Sequence, residues 1–170
     1  MGPGDTAVDA GCGTGHNLPL LAEAMGPTGR VIGADLTDAT LEQTGDRVCS
    51  AGSPRSLWCR PTWRPLQYPE DVRGIIACSS LTVIGGYAKV IERGYGALGP
   101  GGRWVVLDYR LPRWWPDRLI SMLGPVSAPF GGDTSMVRRH PREPIQEGAA
   151  RHRSRNTTRA IHGPDTTGQD

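Results

Sequence analysis

The sequence is poor in large apolar side chains and lacks the long apolar runs of a membrane-spanning protein. Hydrophobic residues make up 37% of its 170 residues, whereas it contains 24 glycines and 15 prolines. This balance predicts a folded part joined to a less ordered part. No apolar run is long enough to cross a bilayer, and the first residues lack the features of a signal peptide.

The sequence also lacks paired cysteines and a strong charge of either sign. Its four cysteines form no C-x-x-C pair: Cys12, Cys49, Cys59 and Cys78. This spacing argues against a metal site or a disulfide framework, so we expect reduced thiols in a cytoplasmic protein. The net charge of +2 is too small to indicate nucleic acid as a partner.

The most informative segment is a short apolar run that ends in an acidic residue and continues into three glycines at alternate positions. It reads Val8-Asp9-Ala10-Gly11-Cys12-Gly13-Thr14-Gly15-His16-Asn17. Glycine allows positive φ angles and a close approach of the backbone to a ligand. A helix that begins just after the loop would add unpaired N–H groups and a positive dipole end.

The glycine spacing differs from that of nicotinamide-dependent enzymes. Their G-x-G-x-x-G fingerprint needs a glycine where this chain has His16 or Leu18. A nicotinamide-dependent oxidoreductase therefore stays only as an alternative hypothesis. A second acidic residue, Asp35, ends the next apolar run and lies 20 residues after Gly15. A carboxylate at that place can accept hydrogen bonds from a ribose diol.

Strand-like and helix-like segments alternate along the first two thirds of the chain. We predict strands at Thr6–Asp9, Arg30–Asp35, Leu57–Arg60, Gly74–Ser79 and Arg103–Tyr109, and helices at Asn17–Met25, from Thr37 or Asp38 to about Val48, and at Tyr87–Leu98. This alternation predicts an α/β fold with a doubly wound, mainly parallel sheet. Ligands of such sheets bind at the carboxyl ends of the strands.

The acidic and glycine-rich segments, taken together, resemble the S-adenosylmethionine site of class I methyltransferases. A third match is the stretch Leu98-Gly99-Pro100-Gly101-Gly102, which resembles that family's turn into its fifth strand. The resemblance covers roughly Gly2 to Leu111. It implies a Rossmann-like core, S-adenosylmethionine as cofactor and methyl transfer as the reaction.

A narrower resemblance concerns the acceptor. The segments Cys78–Ile84 and Asp108–Pro112 are similar to the branch of the family that methylates quinone precursors and phospholipid or betaine-lipid amines. This implies a small, hydrophobic or lipid-like acceptor. Methyl transfer from a sulfonium mainly requires alignment of the nucleophile, so we expect no dedicated catalytic residue. A general-base role for His16 remains an alternative.

The resemblance implies cofactor contacts along the whole motif set. The expected cofactor-binding residues are Asp9, Gly11, Cys12, Gly13, Thr14, Gly15, Asn17, Asp35, Leu36, Thr62, Trp63, Ser79 and Ser80. In the family, the residue at Asp9 supports the loop and the cofactor's amino-acid end, Asp35 takes the ribose hydroxyls and Leu36 flanks the adenine. We expect no metal ligands.

Four of these positions depart from the family pattern or leave alternatives open. Thr62 and Trp63 stand where the family has an acidic residue and its neighbour. Thr62 can accept a hydrogen bond there, and Trp63 can either stack on adenine or pack on the core. Ser79, Ser80 and Thr82, which follow the fourth predicted strand, can orient the acceptor, or they can satisfy backbone groups at the end of that strand.

The last part of the chain changes in character. We expect residues 1–130 to form the core and residues 131–170 to form a disordered, arginine-rich tail, because that tail has too few apolar residues to offset chain entropy. Trp114 and Trp115, with Leu111, form either a lipid-facing or substrate-lining surface or the packed face of a last helix. The first alternative implies peripheral membrane contact.

The family's usual additions at the two ends are not recognisable here. Members carry helices before the first strand and an antiparallel hairpin after the fifth strand. We therefore expect a methyltransferase core that is incomplete at both ends. An inactive remnant that at most binds the cofactor remains an alternative function.

Overall fold

The computed structural model describes residues 1–35, 40–44, 57–60, 68–108 and 139–162, together with a few single positions between 115 and 125. Its named elements are β1 (Thr6–Ala10), α1 (Leu18–Met25), β2 (Arg30–Ala34), β3 (Leu57–Arg60), β4 (Val72–Cys78), α2 (Tyr87–Ala97), β5 (Leu98–Leu107) and α3 (Arg142–His162). Residues 40–44 are also helical. The rest of the helix predicted from Thr37 or Asp38 lies outside the described residues.

The five strands form one parallel sheet in the order β3-β2-β1-β4-β5. The predicted doubly wound sheet is thus confirmed. The chain adds β2 and β3 on one side of β1 and then crosses to the other side of β1 to add β4 and β5. Such folds bind ligands at the carboxyl edge of the sheet, at the switch point of the strand order, which here lies between β1 and β4.

Helix α1 packs on one face of the sheet through a buried stripe at helical spacing, which consists of Leu18, Leu21, Ala22 and Met25. Pro19 stands in its first turn, where a missing N–H costs nothing. Gly26, with φ 68°, ends the helix and donates its backbone N–H to carbonyls of the last turn. This short helix places the glycine loop at the carboxyl edge of β1.

The opposite face is covered by α2 and α3. Ile91 and Tyr95 of α2 are buried against Ile75 of β4 and the side chain of Trp104 on β5. Strand β5 follows α2 directly and begins earlier than predicted, at Leu98. Its pairing with β4 has a register shift between Val72 and Gly74. Within the described residues the sheet ends at β5.

The expectation of a disordered tail is wrong for Arg142–His162, which forms the 21-residue helix α3. Ile145 and Ala149 pack against the core cluster, and His152 is buried beside the ring of Tyr95. A Cβ on Gly148 would lie 2.2 Å from Cδ2 of Tyr95, so glycine permits the close approach of the two helices. The predicted boundary at residue 130 lies outside the described residues.

No helix within the described ranges is both long enough and apolar enough to cross a membrane.

Candidate functional site

The loop after β1 is a series of backbone turns built on glycine. Gly11, Gly13 and Gly15 have φ angles of 86°, 53° and 78°, which lie in the left-handed region. The backbone N–H groups of Gly11 and Cys12 donate to the carbonyl oxygen of Ala34 at 2.8 and 3.0 Å. These bonds fasten the loop to the end of β2. The three alternate glycines are therefore required by the path of the backbone itself.

The glycines differ in what surrounds them. A Cβ on Gly11 would lie 2.1 Å from Cβ of Ser80, and a Cβ on Gly15 would lie 2.7 Å from Cγ2 of Thr44. Internal packing thus excludes side chains at these two positions. A Cβ on Gly13 would meet no atom within 4 Å. Gly13 is therefore the glycine whose Cα faces open space, as a ligand-contacting position requires.

Asp35, just beyond β2, connects the glycine loop to the neighbouring strand. Its Oδ2 accepts the backbone N–H of Gly13 at 2.7 Å, and its Oδ1 accepts the hydroxyl of Thr40 at 2.9 Å. Asp35 therefore fastens the glycine loop to the end of β2, and its carboxylate lies beside Gly13 at the carboxyl edge of the sheet.

Asp9 is a fully buried carboxylate on β1. Among the described residues, neither of its oxygens has a hydrogen-bond partner at normal geometry. Burial raises the pKa of Asp9 to about 6, the Asn17 side chain lies near enough to oppose this rise, and the charge of Asp35 adds to it. Buried carboxylates normally have partners. An unpartnered one at the carboxyl edge of the sheet is suited to receive a cationic group.

Other expected cofactor residues of this loop are placed in different ways. The side chain of Cys12 is buried under the loop, where it packs with α1. Thr14 and the exposed His16 contact each other through Oγ1 and Nδ1 at 2.9 Å. Asn17 is half-buried and precedes α1 without capping it through its side chain. The structure thus places Thr14 and Asn17 at the rim of the loop and Cys12 inside it.

Ser79 and Ser80 directly follow β4, the strand that neighbours β1 at the switch point. Ser79 has a φ of 53°, a left-handed conformation that is uncommon outside glycine. Its N–H donates to the carbonyl of Leu107 at 2.7 Å. The buried hydroxyl of Ser80 donates to the carbonyl of Ala10 at 2.6 Å. The Ser80 hydroxyl therefore already serves a backbone group.

Three expected contact residues, Leu36, Thr62 and Trp63, lie outside the described residues, as do Leu111 and Trp114. The described residues bring together Asp9, the glycine loop, Asp35 and the Ser79–Ser80 strand end at one edge.

One residue that supports the glycine loop, Thr44, was not predicted from the sequence. Thr44 is fully buried, and its hydroxyl lies 2.7 Å from the carbonyl oxygens of both Gly13 and Thr40, which share its single proton. Thr40 and Thr44 are four positions apart in the segment predicted as helical after Asp35. That spacing places them on one helix face, and it was the available signal.

The family model described as "Methyltransferase domain" matches residues 7–102, which include β1, the glycine loop and the start of β5. The chain belongs to this family of methyltransferase domains.

Relatives and solved structures agree with that assignment. The chain is 32% identical over 112 residues to a 2-phytyl-1,4-naphtoquinone methyltransferase of Synechococcus elongatus, an alignment that covers 65% of this chain and 48% of that protein. It is 49% identical over 139 residues to an uncharacterised 37.1 kDa protein in transposon TN4556 of Streptomyces fradiae, covering 70% of this chain and 35% of that one. The chain thus spans about half or less of the length of the curated relatives it matches.

Among solved structures, the geranyl diphosphate C-methyltransferase of Streptomyces coelicolor A3(2) has a TM-score of 0.67 and 22% identity. The superposition covers 90% of this chain and 56% of that one. That likeness supports the same fold. The structure was solved with S-adenosyl-L-homocysteine, the product form of the methyl donor.

The described residues fit S-adenosylmethionine, which is the cofactor of this class of protein. The cofactor carries an ammonium group and a ribose diol. The buried carboxylate of Asp9 can pair with a cation, the carboxylate of Asp35 is an acceptor suited to hydroxyl groups, and a Cβ on Gly13 would meet no described atom within 4 Å. The predicted cofactor therefore agrees with the donor and acceptor groups that the site offers.

Proposed function

We propose that this chain binds S-adenosylmethionine across Gly11–Gly15 and Asp35 and transfers its methyl group to a small, hydrophobic or lipid-like acceptor. The observation that carries the proposal is the 2.7 Å hydrogen bond from the N–H of Gly13 to Asp35. It joins the open glycine loop to the acidic end of β2 beside the switch point of the sheet. A ribose placed on Asp35 lies next to a loop with room for a ligand.

When bound, S-adenosylmethionine would supply an electrophilic methyl group: the acceptor's nucleophilic atom would bond to the methyl carbon as the carbon–sulfur bond breaks, and S-adenosylhomocysteine would leave with the electron pair. The chain's own residues bind and orient. Asp9 receives the ammonium group, Asp35 accepts the ribose hydroxyls, and Gly13 allows the backbone to pass beneath the ligand. Such alignment is the main contribution a protein makes to an in-line displacement.

The class of acceptor rests on the relatives. The Synechococcus elongatus relative is named for a 2-phytyl-1,4-naphthoquinone, which is a small ring with a lipid chain. A similar acceptor for this chain agrees with the likeness of Cys78–Ile84 and Asp108–Pro112 to the quinone and lipid branch of the family. A cytoplasmic location is part of the proposal. Its basis is the cysteine spacing of the sequence, which contains no C-x-x-C pair and does not predict a disulfide framework.

Calorimetric titration with S-adenosylhomocysteine tests the binding step. Asp35→Ala removes a charged acceptor, and charge-assisted hydrogen bonds are worth about 1.5–3 kcal/mol, so the dissociation constant should rise about tenfold to a hundredfold. Glu92→Ala removes an exposed carboxylate of α2 far from the loop, and it should leave the constant unchanged. Asp35→Asn keeps one oxygen for the N–H of Gly13 and isolates the effect of the charge.

Several outcomes would overturn the proposal. Equal affinity of wild type and Asp35→Ala would remove Asp35 from the site. Tight binding of NADH in place of S-adenosylhomocysteine would favour the oxidoreductase alternative. The acceptor is tested by tritium transfer from methyl-labelled S-adenosylmethionine to 2-phytyl-1,4-naphthoquinone. Cofactor binding without transfer to this or any other lipid-like quinone would favour an inactive remnant.

A further inference from the structure

The turn that follows β4 connects three parts of the site edge. Ser79 is bonded through its N–H to Leu107 of β5, and Ser80 is bonded through its hydroxyl to Ala10 of β1. The backbone of Gly11 approaches Ser80 so closely that no side chain fits between them. Movement of this turn would therefore reach the first glycine of the cofactor loop.

Two charged side chains hold the turn at Thr82. The carboxylate of Asp108, one residue beyond β5, accepts the N–H of Thr82 at 2.9 Å and its hydroxyl at 2.8 Å. Nη1 of Arg139 donates to the carbonyl of Thr82 at 2.8 Å and to that of Val83 at 2.7 Å. The carboxylate of Asp108 thus accepts both hydrogen-bond donors of Thr82, and the guanidinium of Arg139 donates to the carbonyl oxygens of Thr82 and Val83. Hydrogen bonds with one charged partner are stronger than neutral ones.

Arg139 comes from the segment just before α3, in the part of the chain that was expected to be a solvated tail. Helix α3 is anchored on α2 through Gly148 and His152, so Arg139 is supplied from a fixed support. A side chain of the C-terminal region therefore reaches the carboxyl edge of the sheet.

We infer that Arg139 is a positioning residue of the cofactor site, which acts through the Thr82–Val83 turn and Ser80 on the glycine loop. The inference rests on the proposed function, since it concerns the same site. The contacts define how the effect would be transmitted. Arg139 donates to the carbonyls of the turn, the turn is hydrogen-bonded to Ser80, and Ser80 in turn contacts Ala10 and Gly11. Arg139 itself touches no cofactor.

A double-mutant cycle on the affinity for S-adenosylhomocysteine tests this course. Arg139→Met keeps the length of the side chain but removes its donors. It should weaken binding by about twofold to thirtyfold, the range for residues that couple to a site through others. Ser80→Ala should weaken binding as well. If Arg139 acts through Ser80, the double variant should be no weaker than Ser80→Ala alone.

Conservative rescue and a matched control separate positioning from general destabilisation. The bonds from Arg139 to the carbonyls of Thr82 and Val83 come from one nitrogen, and a lysine ammonium has three donors that can replace it there. Arg139→Lys should therefore restore most of the affinity. Arg151→Met removes an exposed guanidinium of the same tail, which pairs with the exposed Glu147, and it should not change the dissociation constant. If Arg139→Met does not fold, Arg139→Gln takes its place in the cycle.

Amide exchange at Thr82, Val83 and Ile84 without ligand reports on the turn independently of cofactor binding, and Arg139→Met should accelerate it. Affinities of Arg139→Met and wild type that agree within about twofold, or additive effects of Arg139→Met and Ser80→Ala, would overturn the inference. Unchanged exchange would do so even if the wild type bound no cofactor. Failure of the wild type to bind S-adenosylhomocysteine, with faster exchange in Arg139→Met, would instead overturn the proposed function.

Discussion

Among the site residues, Asp9 has the surroundings that most clearly favour the ligand-bound protein over the ligand-free protein. Its carboxylate is fully buried on β1 and, within the described part of the chain, has no hydrogen bond of normal geometry. Such a group destabilises the folded chain as long as it is charged. A ligand that brings an ammonium group to it would relieve this cost. Strain of this kind, located at a binding edge, is typical of functional sites.

The raised pKa of Asp9 gives a pH dependence of defined sign. Its pKa is about 6 in the folded protein, compared with the ordinary value of 3.8. The folded state therefore holds the proton more tightly than the unfolded state does. The resulting stabilisation is fully present below about pH 4 and is lost as the pH rises through about 6. Binding of a cation favours the charged form, so cofactor affinity should fall as the pH decreases below about 6.

We predict that Asp9→Asn stabilises the free protein at pH 7.5 and weakens binding of S-adenosylhomocysteine. A shift of about two units corresponds to about 3 kcal/mol at most, and the buried amide keeps part of that cost, so we expect a gain of about 1–2 kcal/mol. The melting temperature should rise by about 2–8 °C. Calorimetry at pH 7.5 and pH 5 measures both effects. A variant that melts lower than wild type at pH 7.5 and binds as tightly would contradict this role.

At the scale of elements, the loop between β1 and α1 shows that three similar glycines have different tasks. Gly11 and Gly15 let the loop pack against Ser80 and Thr44, whereas Gly13 borders open space. Substitution at Gly11 should therefore damage the fold, and substitution at Gly13 should damage binding. The loop thus separates into packing positions and a ligand-facing position.

Gly13→Val should abolish detectable binding of S-adenosylhomocysteine while the fold persists. The new side chain would fill the open space above the loop, and its branched Cβ disfavours the positive φ at that position. Gly96→Ala, at an exposed position of α2 where a Cβ also meets nothing, is the matched control. It should bind normally and gain up to about 1 kcal/mol of stability. Circular dichroism and calorimetry measure both. Normal binding by Gly13→Val would show that the ligand lies elsewhere.

The strands and the loop could be predicted because their signals are local. Thr6–Ala10 and Leu57–Arg60 are short β-type runs bounded by turn residues, and these two strands agree within a residue with the prediction, whereas β4 begins two residues before the predicted Gly74. Alternation of strand and helix then fixed the parallel sheet. The start of β5 at Leu98 could not be predicted in this way. Its pairing with Val72 is a contact between distant segments and breaks the register.

The hydrogen bonds of Asp108 and Arg139 to the turn at Thr82 could not be predicted for a related reason. Asp108 and Arg139 are far apart in the sequence, and both act on backbone groups of a turn. Backbone acceptors leave no trace in the sequence pattern. The position of Thr44 behind Gly13 had a helical spacing as a signal, but the partner of its hydroxyl is again a backbone oxygen.

At the scale of the whole molecule, the tail is the largest difference between prediction and structure. Helix α3 was missed because, apart from Ile145, the described part of its buried face is made of small or polar residues. Ile145, Gly148, Ala149 and His152 are spaced three to four positions apart, which is the spacing of one helix face. A search for large apolar residues does not detect this face. It is held by the close approach of Gly148 to Tyr95.

We predict that Gly148→Val destabilises the whole protein. Its Cβ would lie 2.2 Å from Cδ2 of Tyr95, and that ring also packs on Trp104 of β5. Overpacking of this kind costs about 1–3 kcal/mol, which lowers the melting temperature of a protein of this size by about 2–12 °C. Gln146→Ala, at an exposed position of the same helix, should stay within about 0.5 kcal/mol of wild type.

Thermal melting of the three proteins, with amide exchange over residues 142–154, decides whether the docked helix is part of the cooperative fold. Protected amides in wild type and a lower melting temperature only in Gly148→Val would establish that α2, α3 and β5 unfold together. Gly148 belongs to the helix that packs over the face of the sheet, away from the carboxyl edge. Because Arg139 lies just before this helix, Gly148→Val should nevertheless also weaken binding of S-adenosylhomocysteine. Equal melting temperatures of Gly148→Val and Gln146→Ala, with amide exchange near the unprotected limit, would contradict docking of α3. They would support the disordered tail that the composition predicts.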